Sequence, residues 1–221
     1  PQPLKPTFLH KTFSRTAVDN DISQAIDLDS SGRVVLSGRT KSTNIVTTSN
    51  AVVSSRPNSN FSGFLVIFKS LNTLDYGTYL GGSGTDDAQD IAAYNNNYVV
   101  VGQTSSNNLA TTGAYRSTRN SNDGYFAIFR NDTLLTLSYF GGNANDDINK
   151  VRFNDNGKTI FFLGETNSTN LPTQNGFQSS KAGSSNGIDL FLASFSIQGS
   201  LEMQHILVVL ETTPIIESDK V

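Results

Sequence analysis

The chain of 221 residues has no cysteine, no tryptophan, one methionine and two histidines. Without cysteine there are no disulfides, no thiolate metal sites and no cysteine nucleophile, and the redox compartment is left open. With only His10 and His205, the commonest general base is scarce. Charged residues make up 16% of the chain, and 16 basic against 19 acidic side chains leave a net charge of −3. That balance gives no electrostatic footprint for a nucleic acid or an anionic membrane. No apolar run approaches the roughly eighteen residues needed to cross a bilayer; the longest, 206–210, fits one buried strand. Neither a nucleic-acid partner nor membrane insertion is expected. The chain starts at Pro1 without a signal-like segment, so a processed product or a fragment is expected, and secretion is compatible with both.

Three phrases recur in constant order. The first is Gly38-Arg39-Thr40, Gly102-Gln103-Thr104 and Gly164-Glu165-Thr166, each followed four residues after its Thr by Asn44, Asn108 or Asn170. The threonines are 64 and 62 residues apart, which sets a unit of about sixty residues. The second places Thr12 nine residues before Asp21, Thr78 nine before Asp87 and Ser138 nine before Asp147, with Gly81-Gly82 and Gly141-Gly142 inside the later two copies. The third is an aromatic run beginning near Phe64, Tyr125 and Phe191. Self-similarity at a fixed period decides architecture before residue propensities do.

Within each unit the pattern is that of short strands. Residues 24–28, 90–94 and 150–153 are strand candidates, each followed by a polar turn (29–32, 95–97, 154–157) that supplies the φ > 0 positions of tight hairpins. The β-branched strands 34–37, 98–101 and 159–163 come next, then a loop carrying the Gly-x-Thr phrase. An aromatic strand and a last strand ending at Tyr79-Leu80 or Tyr139-Phe140 follow. Four antiparallel strands per unit need neighbours stacked on their apolar faces, and sixty-residue units that stack radially are propeller blades. The expected fold is therefore all-β: a β-propeller or partial propeller of about three four-stranded blades, at about 19–82, 85–142 and 145–210. Phe64, Tyr125, Phe191 and Phe68, Phe129, Phe195 are expected to fill the space between blades. Residues 8–14 align with the outermost strand of a further blade, and 203–209 with that of the third. An orphan strand at 8–16 is thus expected to pair outside the three-blade set.

The runs 78–84, 102–115 and 164–173 resemble the SBBP repeat, the so-called seven-bladed β-propeller repeat. The resemblance covers about residues 12–200. It implies a secreted or surface-attached protein, and it brings no catalytic residues. The first copy departs from the pattern, with Arg15-Thr16 where the others have Gly-Gly. Abundant Thr, Ser, Asn and Gly beside sparse Lys and Glu point the same way, toward an extracellular β-protein with many turns.

Three kinds of chemistry are candidates. The acidic segments holding Asp21, Asp86-Asp87 and Asp146-Asp147, read as turns, would gather carboxylates near one opening, the oxygen-rich setting that Ca²⁺ prefers; the alternative is that each Asp accepts backbone N–H bonds in its own turn. Asp27, Asp29 and Gly32 weakly match a calcium loop. Paired Asp residues would also serve a glycosidase, which needs two carboxyls about 5 to 10 Å apart. Gly183-Ser184-Ser185-Asn186-Gly187 matches the nucleophile-elbow pattern but leads into a strand, where that device does not work. Gly82-Ser83-Gly84 reads as a turn rather than a phosphate loop. Asn44, Thr47, Asn108, Thr111, Asn170 and Thr173 form a Thr/Asn surface suited to sugar hydroxyls. The leading expectation is a non-enzymatic extracellular module for adhesion, glycan binding or scaffolding, needing no cofactor beyond a Ca²⁺ ion. Its partners would be a protein or glycan at the cell surface, with self-assembly through terminal strands and a paired-Asp glycosidase as alternatives.

Overall fold

The computed structural model describes residues 20–173 and 187–207, and the described residues contain strands and no helix. The strands are β1 (Asp21–Leu28), β2 (Val34–Thr40), β3 (Ser62–Ser70), β4 (Thr73–Leu80), β5 (Asp86–Tyr94), β6 (Asn97–Thr104), β7 (Asp123–Arg130), β8 (Thr133–Phe140), β9 (Asp146–Phe153), β10 (Thr159–Thr166), β11 (Asp189–Ser196) and β12 (Leu201–Leu207). They form three four-stranded antiparallel meanders in sequence order, β1–β4, β5–β8 and β9–β12. The turns behave as their composition demands: Gly32 (φ 79°), Asn95 (φ 51°) and Gly157 (φ 68°) all take the left-handed conformation.

Two details differ from the sequence reading. The Gly-x-Thr phrase does not lie in a loop but ends the second strand of each sheet. The acidic residues are likewise not in turns, since Asp21, Asp86 and Asp146 open the first strands and pair across to Thr40, Thr104 and Thr166. A bulge in the β1–β2, β5–β6 and β10–β9 pairings explains the glycine of that phrase. A Cβ on Gly38, Gly102 or Gly164 would stand 2.1, 1.8 or 2.1 Å from the carbonyl oxygen of Ile22, Asp87 or Asp147. Only glycine permits that approach.

The sheets pack face to face. In β6, Tyr98 and Val100 join a core with Val35, Leu65 and Ile67 of the first sheet, while Val99 and Val101 join one with Ile160, Phe162 and Phe191 of the third. The continuous apolar run of residues 98–101 follows from this, because a strand buried on both faces has no polar side to alternate with. The aromatic strand β7 divides in the same way, Tyr125 and Phe129 toward the first sheet and Phe126 and Ile128 toward the third. First strands touch, β1 against β5 and β5 against β9, whereas no contact of comparable extent joins β4 to β8 or β8 to β12. The three sheets therefore fan apart from their first strands outward.

The outer edges of the first two sheets are covered from within. The segment between the second and third strands returns to bond the fourth, through Thr48 N–H to Gly77 O (3.0 Å) and Tyr79 N–H to Val53 O (3.0 Å) in the first sheet. Thr111 N–H to Leu137 O (2.9 Å) and Tyr139 N–H to Arg116 O (3.1 Å) repeat this in the second. Such contacts blunt an edge that would otherwise template aggregation. In the third sheet β12 is itself the outermost strand, the equivalent of β4 and β8. Residues 8–14, expected to form an orphan strand, lie outside the described residues.

Candidate functional site

Each first strand presents its opening Asp to a pocket built from the Gly-x-Thr phrase and a serine two residues further on. Asp86 Oδ1 accepts from Thr104 Oγ1 (2.5 Å), and its Oδ2 accepts from Ser106 Oγ and from Gly82 N–H (both 2.9 Å). Asp146 repeats the set with Thr166, with Ser168 (2.7 Å) and with Gly142 N–H (2.7 Å). Asp21 accepts from Thr40 and from Ser42 (2.8 Å). The threonine hydroxyls in turn accept from the N–H of Ser42, Ser106 and Ser168, each at 2.9 Å. Burial pushes the Asp86 and Asp146 carboxyls up, and the hydroxyl and amide donors only partly offset it. These three aspartates hold the start of each sheet against its own loop, and their lone pairs are engaged there rather than turned to a common opening.

The structure also moves the register by one residue. Because Asp21 pairs with Thr40 as Asp86 does with Thr104, Asp21 matches Asp86 and Asp146, and Ile22 stands where the later sheets have Asp87 and Asp147. The nine-residue spacing had placed Asp21 with the second Asp of each pair.

Asp87 and Asp147 serve a different purpose, at the junctions between first strands. Gln24 of the first sheet hydrogen-bonds Asp87, which also pairs with Arg39 Nη1 at 2.9 Å. One junction later, Gln89 Nε2 donates to Asp147 Oδ2 at 2.8 Å. The other carboxylate oxygen of each, Oδ1, is buried without a protein partner. Burial raises both groups; Asp147 reaches about 6, with the negative charges of Asp87 and Glu165 adding to the effect and Gln89 opposing it. Among the described residues no group of three or more His, Asp or Glu side chains is placed to hold a metal ion.

A further buried acid, Asp123, opens β7 near Asp146. Burial raises it to about 6, against Arg116, whose Nη1 lies 3.4 Å away, and with the Asp146 charge pushing further. Asp29, which with Asp27 and Gly32 weakly matched a calcium loop, is a turn staple. It accepts from Ser31 N–H (2.9 Å), Arg33 N–H (2.9 Å), Arg33 Nε (2.7 Å) and Tyr98 Oη (2.9 Å). Burial works to raise its carboxyl, but these donors together hold it well below the usual carboxylate range. Arg33 Nη1 also reaches Asp75 (2.7 Å) and Asp132 (3.2 Å), so one guanidinium ties the first two sheets together.

The Thr/Asn surface divides. Asn108 Oδ1 accepts from Ser83 N–H (2.8 Å) within the turn of Gly82-Ser83-Gly84, and Thr111 Oγ1 accepts from Leu137 N–H (3.0 Å). Both spend these acceptors on the chain's own backbone. Asn44, Asn108 and Asn170 are all exposed, while Thr47, Thr111 and Thr173 are half-buried. Thr48 rather than Thr47 is the counterpart of Thr111, as its bonds to Gly77 show. Residues 183–186 of the Gly-x-Ser-x-Gly pattern lie outside the described residues.

Sequence reasoning missed Ser42, Ser106 and Ser168, although a serine two residues after each phrase threonine was legible. It also missed Tyr79 and Tyr139, whose hydroxyls donate to the carbonyls of Ser42 (2.9 Å) and Ser106 (2.7 Å). No protein-family model matches the chain, and no characterised protein matches its sequence.

Proposed function

We propose that the chain is an arc of three blades from a β-propeller of the SBBP-type repeat, serving as a non-enzymatic, extracellular module for binding and scaffolding. The observation that carries this reading is the exposure at its two ends. Ile26 is 67% exposed, whereas its counterparts Ile91 and Val151 are 1% and 0% exposed against the preceding sheet. At the other end Leu163 is 41% exposed, whereas its counterpart Val101 is fully buried against the following sheet. Each end thus keeps an open stretch along its inner strands, while Val66, which shares the face of Ile26, is buried with Ile45, Phe64 and Tyr79; in a closed ring further sheets cover the open stretches. The self-contained Asp-Thr-Ser pockets favour a framework role, because they tie up carboxylates that a reaction would need.

Light scattering and small-angle scattering of the purified chain, with and without residues 1–16, test the arc. Association of the chain that is lost in Ile26→Asp supports the reading, and a monomer in which Ile26→Asp costs as much stability as Ile91→Asp sinks it, because that face is then covered from within the chain. The second reading, a glycosidase, draws on one observation: Asp87 and Asp147 are neighbouring carboxyls, both raised by burial. Its test is hydrolysis of aryl glycosides abolished in Asp147→Asn; inactivity across a glycoside panel removes it.

A further inference from the structure

The two sheet junctions have matching grooves at their outer ends, and one is filled by the chain while the other is open. Four bonds establish the match. Thr48 N–H to Gly77 O corresponds to Thr111 N–H to Leu137 O, and Tyr79 N–H to Val53 O corresponds to Tyr139 N–H to Arg116 O. Ala51 N–H to Thr48 O and Ala114 N–H to Thr111 O keep the same count between them. Val52 is therefore the counterpart of Tyr115, and Leu80, at the end of its fourth strand, that of Phe140.

Between the second and third sheets the Tyr115 ring occupies the groove. It stacks on Phe140 (centroids 6.5 Å apart, 28° between planes) and meets Phe195 edge-on (5.2 Å, 89°). Between the first and second sheets Val52 and Leu80 replace the two larger rings. What remains is a cavity of about 160 Å³ lined by Val52, Leu80, Leu109, Leu134 and Leu137, with Asn108 at its rim. An apolar cavity of about 150 Å³ lined by aliphatic side chains is large enough to hold one benzene ring.

We infer that this groove is a binding site for a single aromatic ring, seated as the chain seats its own Tyr115 one junction further on. Its walls are aliphatic and offer dispersion contacts to both faces of a ring. The lining Asn108 and Thr111 spend their acceptors on Ser83 N–H and Leu137 N–H, so shape and apolar contact select the occupant. The groove is formed by the first two sheets alone and stands whether or not further sheets complete a ring.

The test is methyl NMR on the whole chain, following Val52, Leu80, Leu134 and Leu137 during titration with p-cresol, with N-acetyl-tyrosinamide and with cyclohexanol as a saturated comparator. Saturable shifts of these methyls with p-cresol, weaker with cyclohexanol, are expected. Val52→Tyr, which copies the neighbouring junction, should abolish them while leaving the fold intact. Tyr115→Val should open the second groove and add a new set of shifts around Leu171. A response to p-cresol alone assigns the ring to a small molecule, and a response to both probes assigns it to a side chain of a partner peptide. No saturable shift with either aromatic probe, or binding retained in Val52→Tyr, overturns the site.

Discussion

The junction between the first and second sheets and the junction between the second and third share one backbone plan and differ in what fills it. The second junction is closed by rings: Phe195 lies 4.8 to 5.8 Å from Phe126, Phe140 and Phe162, with Tyr115 at 5.2 Å. The first core buries as many rings, Tyr76, Tyr98, Tyr125, Phe129 and Tyr139, but all except Phe129 are tyrosines; Tyr76 meets Phe129 edge-on (5.9 Å), and charge is added, with Arg33 drawing Asp29, Asp75 and Asp132 to one point. A repeated fold therefore does not require a repeated chemistry of cohesion. It requires the same strand register, which the aspartate pockets and phrase glycines supply in every sheet, and filler of suitable volume. Where volume falls short, as at Val52, a groove opens.

The largest expected effect is on the ring-packed side. Phe195→Ala should cost about 3 to 5 kcal/mol in urea unfolding, and more than Phe129→Ala at the matching position of the first junction. Equal losses would mean that the aromatic cluster adds nothing beyond buried area. Next comes charge: Arg33→Met should destabilise by about 2 to 3 kcal/mol, because it leaves the Asp29 carboxylate buried without its cation. Adding Asp29→Asn to that variant should recover part of the loss, and a purely additive double mutant would refute the coupling.

Stability should also depend on pH, in opposite directions for the raised and the depressed acids. Asp123 and Asp147 hold their protons to about pH 6 in the folded chain, whereas the unfolded chain releases them near pH 4. Their contribution is thus fully present below about pH 4 and is lost as pH rises toward 6, on the order of 2 kcal/mol per group. Asp29 acts oppositely, because its carboxyl is depressed: its contribution is present above the usual carboxylate range and lost as pH falls. A melting-temperature maximum in mild acid follows. Asp123→Asn together with Asp147→Asn should flatten the alkaline side, and an unchanged profile would show that neither buried acid titrates there. The smallest effect concerns the uncovered face, where Ile26→Lys should change stability by no more than about 0.5 kcal/mol, while Ile91→Lys, its buried counterpart, should prevent folding. A similar penalty at both positions would mean that the first face is covered in solution.

The repeat was legible because it rests on residues that sheet geometry makes irreplaceable. Gly38, Gly102 and Gly164 face a bulged carbonyl that no side chain tolerates, and Asn95 and Gly157 occupy left-handed turns. The roles of the acids were less legible. Asp86 and Asp87 are adjacent in the chain, yet alternation along a strand sends one into its own sheet and the other toward the neighbouring first strand. Nothing in the Asp-Asp pair announces that division. The one-residue register shift that aligns Asp21 with Asp86 was equally hidden, because the spacing counted from Thr12 and only the pairing with Thr40 corrects it.

By itself the sequence determined an all-β chain of three similar four-stranded units, since period, turn residues and short apolar runs are local properties. Tertiary structure alone decided which oxygens are engaged, which faces stay open and where a groove remains. Those outcomes depend on the distance between side chains some sixty residues apart, and local pattern carries no record of that distance.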